Sequence, residues 1–166
     1  MGLILGGMCM AVEIERRFLV TDESWRGVTR GRSICQGYLS VDPERVVRIR
    51  IEEGSASLTI KGRGNGIVRP EFEYSLPLAD GRELLALCGG RLVEKVRHKI
   101  DFAGRVWEVD EFLADNSGLI MAEIELEQAD QQFPSPPWLG LEVTPDSRYC
   151  NVNLALNPWL GWSGVS

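Results

Sequence analysis

The sequence predicts an α+β fold built on an antiparallel meander of about eight strands, with few helices. Three observations carry that prediction. Apolar and charged residues alternate in period two along most of the chain. Gly, Asp and Pro punctuate the alternating runs. Helix-start patterns occur at only two places.

From Val12 to Val20, the residues Val12, Ile14, Phe18 and Val20 share one face with Arg16, and Glu13, Glu15 and Arg17 take the other. A shorter run, Ile34 to Ser40, places Gln36 and Tyr38 together. Between Arg45 and Glu52, Val47, Ile49 and Ile51 oppose Arg48, Arg50 and Glu52. After a Glu53-Gly54-Ser55 turn, Leu58 and Ile60 oppose Thr59, Lys61 and Arg63. A loop over Gly62 to Gly66 leads to Phe72, Tyr74 and Leu76, which oppose Arg69, Glu71 and Glu73. Asp80 and Glu83 form a capping pattern ahead of Leu84, Leu85 and Leu87, with Gly89-Gly90 as the stop. Leu92, Val96 and Ile100 then oppose Lys95, Arg97 and Lys99. Trp107 and Val109 oppose Glu108 and Asp110. Ile120, Ala122, Ile124 and Leu126 oppose Glu123, Glu125 and Glu127. Phe133 to Gly140 reads as a proline-rich loop. Thr144-Pro145 starts a helix holding Arg148, Tyr149 and Asn151.

The 166 residues fit one domain over 12–166, preceded by an apolar, glycine-rich extension over 1–11 that lacks the basic start of a signal peptide. No apolar run approaches the roughly 18–20 residues that span a bilayer. The net charge of −6 argues against a general nucleic-acid binder. Cys9, Cys35, Cys88 and Cys150 show no CxxC spacing and His98 is the sole histidine, so reduced thiols in a cytoplasmic protein are expected, without a zinc site. The sequence leaves a homodimer open.

The polar faces are unusual. They consist mainly of formal charges, and the signs are segregated by segment: Arg48, Arg50, Lys61, Lys95 and Arg97 against Glu13, Glu15, Glu108, Asp110, Glu123 and Glu125. Neighbours at i and i+2 sit about 7 Å apart on one strand face. At an effective dielectric near 20, each like-charge pair repels by roughly 2–3 kcal/mol. Open solvent removes most of that cost. A closed cavity removes it only with bound counter-charges: divalent cations such as Mg²⁺ or Mn²⁺ for the carboxylates, a polyphosphate for the Arg and Lys side chains.

The run Val12-Glu13-Ile14-Glu15-Arg16-Arg17-Phe18-Leu19-Val20 resembles the Glu-x-Glu-x-Lys opening of the CYTH superfamily, the triphosphate tunnel metalloenzymes. Companions follow in that family's order: Gln36-Gly37-Tyr38-Leu39, Arg48-Ile49-Arg50, Leu58-Thr59-Ile60-Lys61, Arg69-Pro70-Glu71-Phe72-Glu73, Val93-Glu94-Lys95-Val96-Arg97, Trp107-Glu108-Val109-Asp110, Ala122-Glu123-Ile124-Glu125 and Glu142-Val143-Thr144. The resemblance spans about residues 12 to 157 and is nearest to compact bacterial inorganic triphosphatases. It implies an eight-stranded antiparallel β-barrel, a tunnel with a charged interior and helices packed outside.

By the same resemblance, Glu13, Glu15, Glu123 and Glu125 hold divalent metal with support from Asp110. Arg17, Arg48, Arg50, Lys61, Arg63, Lys95, Arg97 and Arg148 bind the triphosphate. The implied chemistry is two-metal hydrolysis, with Tyr38, Arg17 and Lys95 at the reacting groups. One departure stands out: Arg17 replaces the family's usual lysine and cannot shuttle a proton. Adenylate cyclase of class IV and thiamine triphosphatase are the alternative activities, and a non-catalytic polyphosphate-binding module is the alternative class. Two readings of Glu71 and Glu73 stay open: a structural pairing with Arg63 or Arg69 across strands, or a place in the site. His98 is expected on the packed side of its strand, and Trp138, Trp159 and Trp162 over the barrel.

Overall fold

The period-two runs become β1 (Val12–Val20), β2 (Arg32–Ser40), β3 (Arg45–Glu52), β4 (Ser55–Gly62), β5 (Val68–Leu76), β6 (Leu92–Phe102), β7 (Arg105–Phe112) and β8 (Ile120–Glu125). A ninth strand, β9 (Leu139–Glu142), and two helices, α1 (Leu78–Ala86) and α2 (Asn151–Leu156), complete the elements that position the site. The structure is a computed structural model and describes residues 12–64 and 68–162. The expected extension over 1–11 and the middle of the Gly62–Gly66 loop lie outside the described residues. Among the described residues, no helix is long and apolar enough to cross a membrane.

Hydrogen-bonded neighbours run β5-β4-β3-β2-β6-β7-β8-β1, and β1 closes the ring onto β5 through Glu13↔Arg69 and its two neighbours. The result is the closed eight-stranded antiparallel barrel. Closure rests on β1, whose two edges serve three partners. One edge pairs with β8 over Glu15 to Leu19. The other pairs with β5 at its start and with β9 at its end, Phe18↔Glu142 and Val20↔Leu139. The sequence gives no warning of β9, because four residues are too short to show a period and its partner lies far back in the chain.

Two tight hairpins join neighbouring strands. Glu53-Gly54 (φ 44° and 87°) and Ala103-Gly104 (φ 52° and 76°) place both central residues in the left-handed region, as a two-residue turn between twisted strands requires.

The helix starts differ from expectation. Pro77 caps α1, so Asp80 falls inside the first turn, where a negative charge suits the positive end of the helix. The helix lies across β2, β3 and β4. It approaches so closely that a Cβ on Gly81 would fall 2.4 Å from the Ala56 Cβ. The expected helix from Thr144 is split into a 3-10 turn, Ser147–Tyr149, capped by Asp146, and then α2. Thr144 is committed elsewhere: its hydroxyl accepts from the Arg17 backbone N–H at 2.9 Å and donates to Glu142 at 2.8 Å.

Apolar residues do face outward, yet helices cover only part of that surface. The outer wall of β1, β6, β7 and β8 carries Ile14, Phe18, Ile100, Trp107, Val109, Ala122 and Ile124, and irregular segments bearing Trp25, Phe133 and Trp138 cover it. Trp107, fully buried, meets Phe18, Phe133 and Trp138 edge-on at 5.4–5.8 Å. Ile60 and Tyr74, on the outer face of β4 and β5, stay exposed.

Inward residues are charged over most of the barrel and apolar at one end. There Val93, Phe112 and Met121 pack with Tyr149 and Leu154, forming a plug continued by Trp159 and Trp162.

Candidate active site

Closing β1 onto β5 sorts the charges. Around the ring, β4, β3, β2 and β6 are contiguous and turn Lys61, Arg48, Arg50, Lys95 and Arg97 inward. The other four strands, β7, β8, β1 and β5, turn Glu108, Asp110, Glu123, Glu125, Glu13, Glu15, Glu71 and Glu73 inward, with Arg17 and Arg69 as exceptions. Between the walls lies a cavity of about 760 Å³, lined by eight Arg or Lys and seven Glu side chains together with Tyr38, Val46, Gly104, Val106, Cys150, Asn151 and Val152.

Ion pairs stitch the seams where the walls meet. At the β4–β5–β1 seam, Lys61 reaches Glu13 at 2.8 Å and Glu71 at 3.3 Å. At the β6–β7 seam, the buried Asp110 carboxylate accepts from Lys95 at 2.5 Å and from Arg97 at 2.6 Å through each oxygen. Burial alone would raise the Asp110 pKa, but Lys95 and Arg97 outweigh it and hold it at about 2. Burial and the nearby Arg97 bring Lys95 down to about 8 against the pull of Asp110. Glu13 is likewise held at about 2, its burial outweighed by Lys61 and Arg69.

Glu15 and Glu123 are less well compensated. Burial, and then Glu123 and Glu13, push Glu15 up to about 8. Glu123 accepts from Arg97 at 2.8 Å through one oxygen, and its buried Oε1 has no partner among the described residues. No three His, Cys, Asp or Glu side chains among the described residues are assembled as a metal cage. Glu13 and Asp110 are already taken by cations. The uncompensated Glu15 carboxyl, the orphaned Glu123 oxygen and the nearby Glu125 nevertheless make a hard oxygen donor set, which fits a divalent cation.

Two arginines of the cavity also have unused donors. Arg48 donates to Thr59 at 2.8 Å, while its buried Nε has no partner among the described residues. Arg17 Nη1 lies 3.0 Å from Cys150 Sγ, and its Nε, in a long ion pair with Glu15 at 3.6 Å, makes no hydrogen bond among the described residues. A buried polar group without a partner costs about 1–3 kcal/mol, so these orphans mark a place for ligand oxygens. Tyr38 lies among Arg48 and Arg50, and burial pushes its phenol up to about 12.

The structure brings Glu13, Glu15, Arg17, Tyr38, Arg48, Arg50, Lys61, Arg97, Glu123 and Glu125 to the cavity lining. It places four expected residues elsewhere. Lys95 and Asp110 stand behind the lining as a buried pair. Arg63 is largely exposed and paired with Glu44, because the chain leaves the barrel at Gly62. Arg148 is exposed, bonded to Asp146 at 2.6 Å and seated on the Trp162 ring. Glu71 and Glu73 do not pair with Arg63 or Arg69: they face Lys61 and Arg48, and Arg69 turns to Glu13. His98 packs edge-on against Trp25, outside the cavity. Sequence reading missed Arg69 as a lining residue and left Glu71 and Glu73 open, although their inward parity was visible. Cys150 and Asn151 follow no period and could not be found that way.

Residues 11–154 match the CYTH domain. A protein from Acetivibrio thermocellus named inorganic triphosphatase is 43% identical over 151 residues, covering 90% of this chain and 97% of that protein. Another of the same name from Nitrosomonas europaea is 36% identical over 149 residues, covering 87% and 97%. A crystal structure of an inorganic triphosphatase superposes with a TM-score of 0.67 at 34% identity, covering 89% of this chain and 96% of that one. With its motifs in order, its closed barrel and its two-walled cavity, the chain belongs to the CYTH domain family.

Proposed function

We propose that this protein hydrolyses inorganic triphosphate to pyrophosphate and phosphate, with Mg²⁺ or Mn²⁺ at the carboxylate wall. The carrying observation is the charge balance of the cavity. Eight cationic and seven anionic lining residues nearly cancel, so the protein alone does not neutralise a triphosphate. A polyanion accompanied by divalent cations completes both walls at once.

Glu15, Glu123 and Glu125 would hold the metal, which when bound would supply charge neutralisation and acidify the attacking water. Arg17, Arg48, Arg50, Lys61 and Arg97 hold the phosphate oxygens and stabilise the charge that grows on them. The Nε atoms of Arg17 and Arg48, which make no hydrogen bond among the described residues, are the donors free to do so. Lys95 and Asp110 act from behind, fixing the Arg97 guanidinium. In the hydrolysis, the water oxygen bonds to a terminal phosphorus, the bridging P–O bond breaks with its electron pair leaving on pyrophosphate, and the proton lost by the water passes to solvent. Tyr38 stays protonated at neutral pH and donates a hydrogen bond to a phosphate oxygen.

The lining favours an inorganic substrate. Among the described residues Tyr38 is its only aromatic residue and is itself buried, so they offer no ring on which an adenine or a thiamine ring would stack. A purely binding role is disfavoured by the acidic wall, which repels phosphate unless metal is present.

Phosphate release tests this reading, with Mg²⁺ or Mn²⁺ against EDTA and with tripolyphosphate, ATP, thiamine triphosphate and pyrophosphate side by side. Metal-dependent release from tripolyphosphate above the others is expected. Release mainly from an organic triphosphate would transfer the function to that substrate, and no release at all would leave cyclase or binding roles.

A further inference from the structure

Gln36 is fully buried on the inner face of β2, and its amide touches two groups of the site. Arg50 Nε and Nη2 donate to its Oε1 at 3.0 and 2.8 Å. A guanidinium carries donors only, so chemistry assigns the oxygen to that side. The amide nitrogen therefore faces the Tyr38 oxygen, 2.8 Å away. An amide NH₂ also only donates, so the Tyr38 oxygen accepts this bond and its own proton must point elsewhere. Among the described residues the Tyr38 hydroxyl donates no hydrogen bond, its charged neighbours Arg48, Arg50 and Arg69 have no lone pair to accept one, and Tyr38 lines the cavity. The cavity is the remaining direction.

We propose that Gln36 is a positioning residue that makes Tyr38 an obligate hydrogen-bond donor to a bound phosphate oxygen and holds Arg50 with its Nη1 edge toward the same phosphate. One amide thus orders a neutral donor and a cationic donor with a single rotamer. Nothing in the assignment requires Gln36 to touch substrate. The catalytic part of the claim rests on the triphosphatase reading above; the orientation part stands on binding alone.

Gln36→Glu separates the two ends of the amide. It keeps the size and the acceptor for Arg50 but replaces the donor to Tyr38 with an acceptor, which draws the phenol proton away from the cavity. With tripolyphosphate and Mg²⁺, Gln36→Glu should lower kcat at least about tenfold in the natural background. It should change kcat less than about twofold once Tyr38→Phe has removed the hydroxyl, because partners in one network are not additive. Gln36→Met, which frees Arg50 too, should also raise KM about tenfold.

Calorimetric titration of a non-hydrolysable tripolyphosphate analogue with Mg²⁺ present gives the same comparison without turnover. The loss of affinity in Gln36→Glu should largely disappear on Tyr38→Phe. Equal losses on both backgrounds, or kcat within twofold of the natural protein, would overturn the proposal. If Gln36→Glu does not fold, Gln36→Met on the two backgrounds is read on kcat alone, and a loss of kcat that persists on Tyr38→Phe overturns the proposal. If the natural protein binds tripolyphosphate without hydrolysing it, the proposed function fails and the binding comparison alone decides the role of Gln36.

Discussion

Glu15 and Glu125 stand directly opposite each other across the β1–β8 ladder. Like charges in that relation destabilise a sheet, and the β7–β8 ladder repeats the arrangement with Glu108 opposite Glu123. The fold thus holds carboxylates against one another on one wall of its cavity, a cost that a bound cation would relieve.

The first consequence is a pH dependence of the metal-free protein. Glu15 has a folded-state pKa of about 8 against an ordinary value of 4.5. Between those values the folded chain binds more protons than the unfolded one, so stability falls as pH rises and levels off above about 8. In EDTA, Glu15→Gln should therefore raise the melting temperature by on the order of a few degrees at pH 8 and by little at pH 5. A constant difference across that range would show that the Glu15 carboxyl is not strained.

Glu123→Gln and Glu125→Gln should each cut metal-dependent turnover at least about 100-fold while leaving the melting temperature near that of the natural protein. Glutamine at 123 still offers Arg97 an acceptor, so the seam survives. Near-normal phosphate release in both variants would remove these residues from the metal site.

Arg17→Lys should preserve or raise kcat, since lysine keeps the positive charge and adds a group able to give up its proton. The contact with Cys150 would be lost, with little effect on folding. A drop in kcat beyond about tenfold would show instead that the guanidinium fork on phosphate dominates at this position.

Asp110→Ala leaves Lys95 buried without its counter-charge and takes from Arg97 one of its three carboxylate partners. Breaking such a buried pair from one side costs about 3–5 kcal/mol. Urea unfolding should show a loss of that order, and activity measured on the folded fraction should fall as well. A loss below about 1 kcal/mol would mean that water reaches both cations.

Much of the barrel was legible in the chain because side-chain direction in a strand follows parity alone. Glu13, Glu15 and Arg17 could be placed on one face of β1, and Arg48 and Arg50 on one face of β3, before any partner was known. The same local physics announced the Glu53-Gly54 turn. Tertiary structure decided what parity does not encode. It set β1 against β5, gathering four acidic strands beside one another, although they are scattered in sequence from residue 12 to residue 125. It also consumed Thr144 in a bond to β1, recruited Leu139–Glu142 as a strand, and turned Val93, Phe112 and Met121 into an apolar plug inside an otherwise charged barrel. Each of these depends on which distant segment arrives next to a residue. Alternation fixes the face a side chain occupies; only ring closure fixes the charges it meets there.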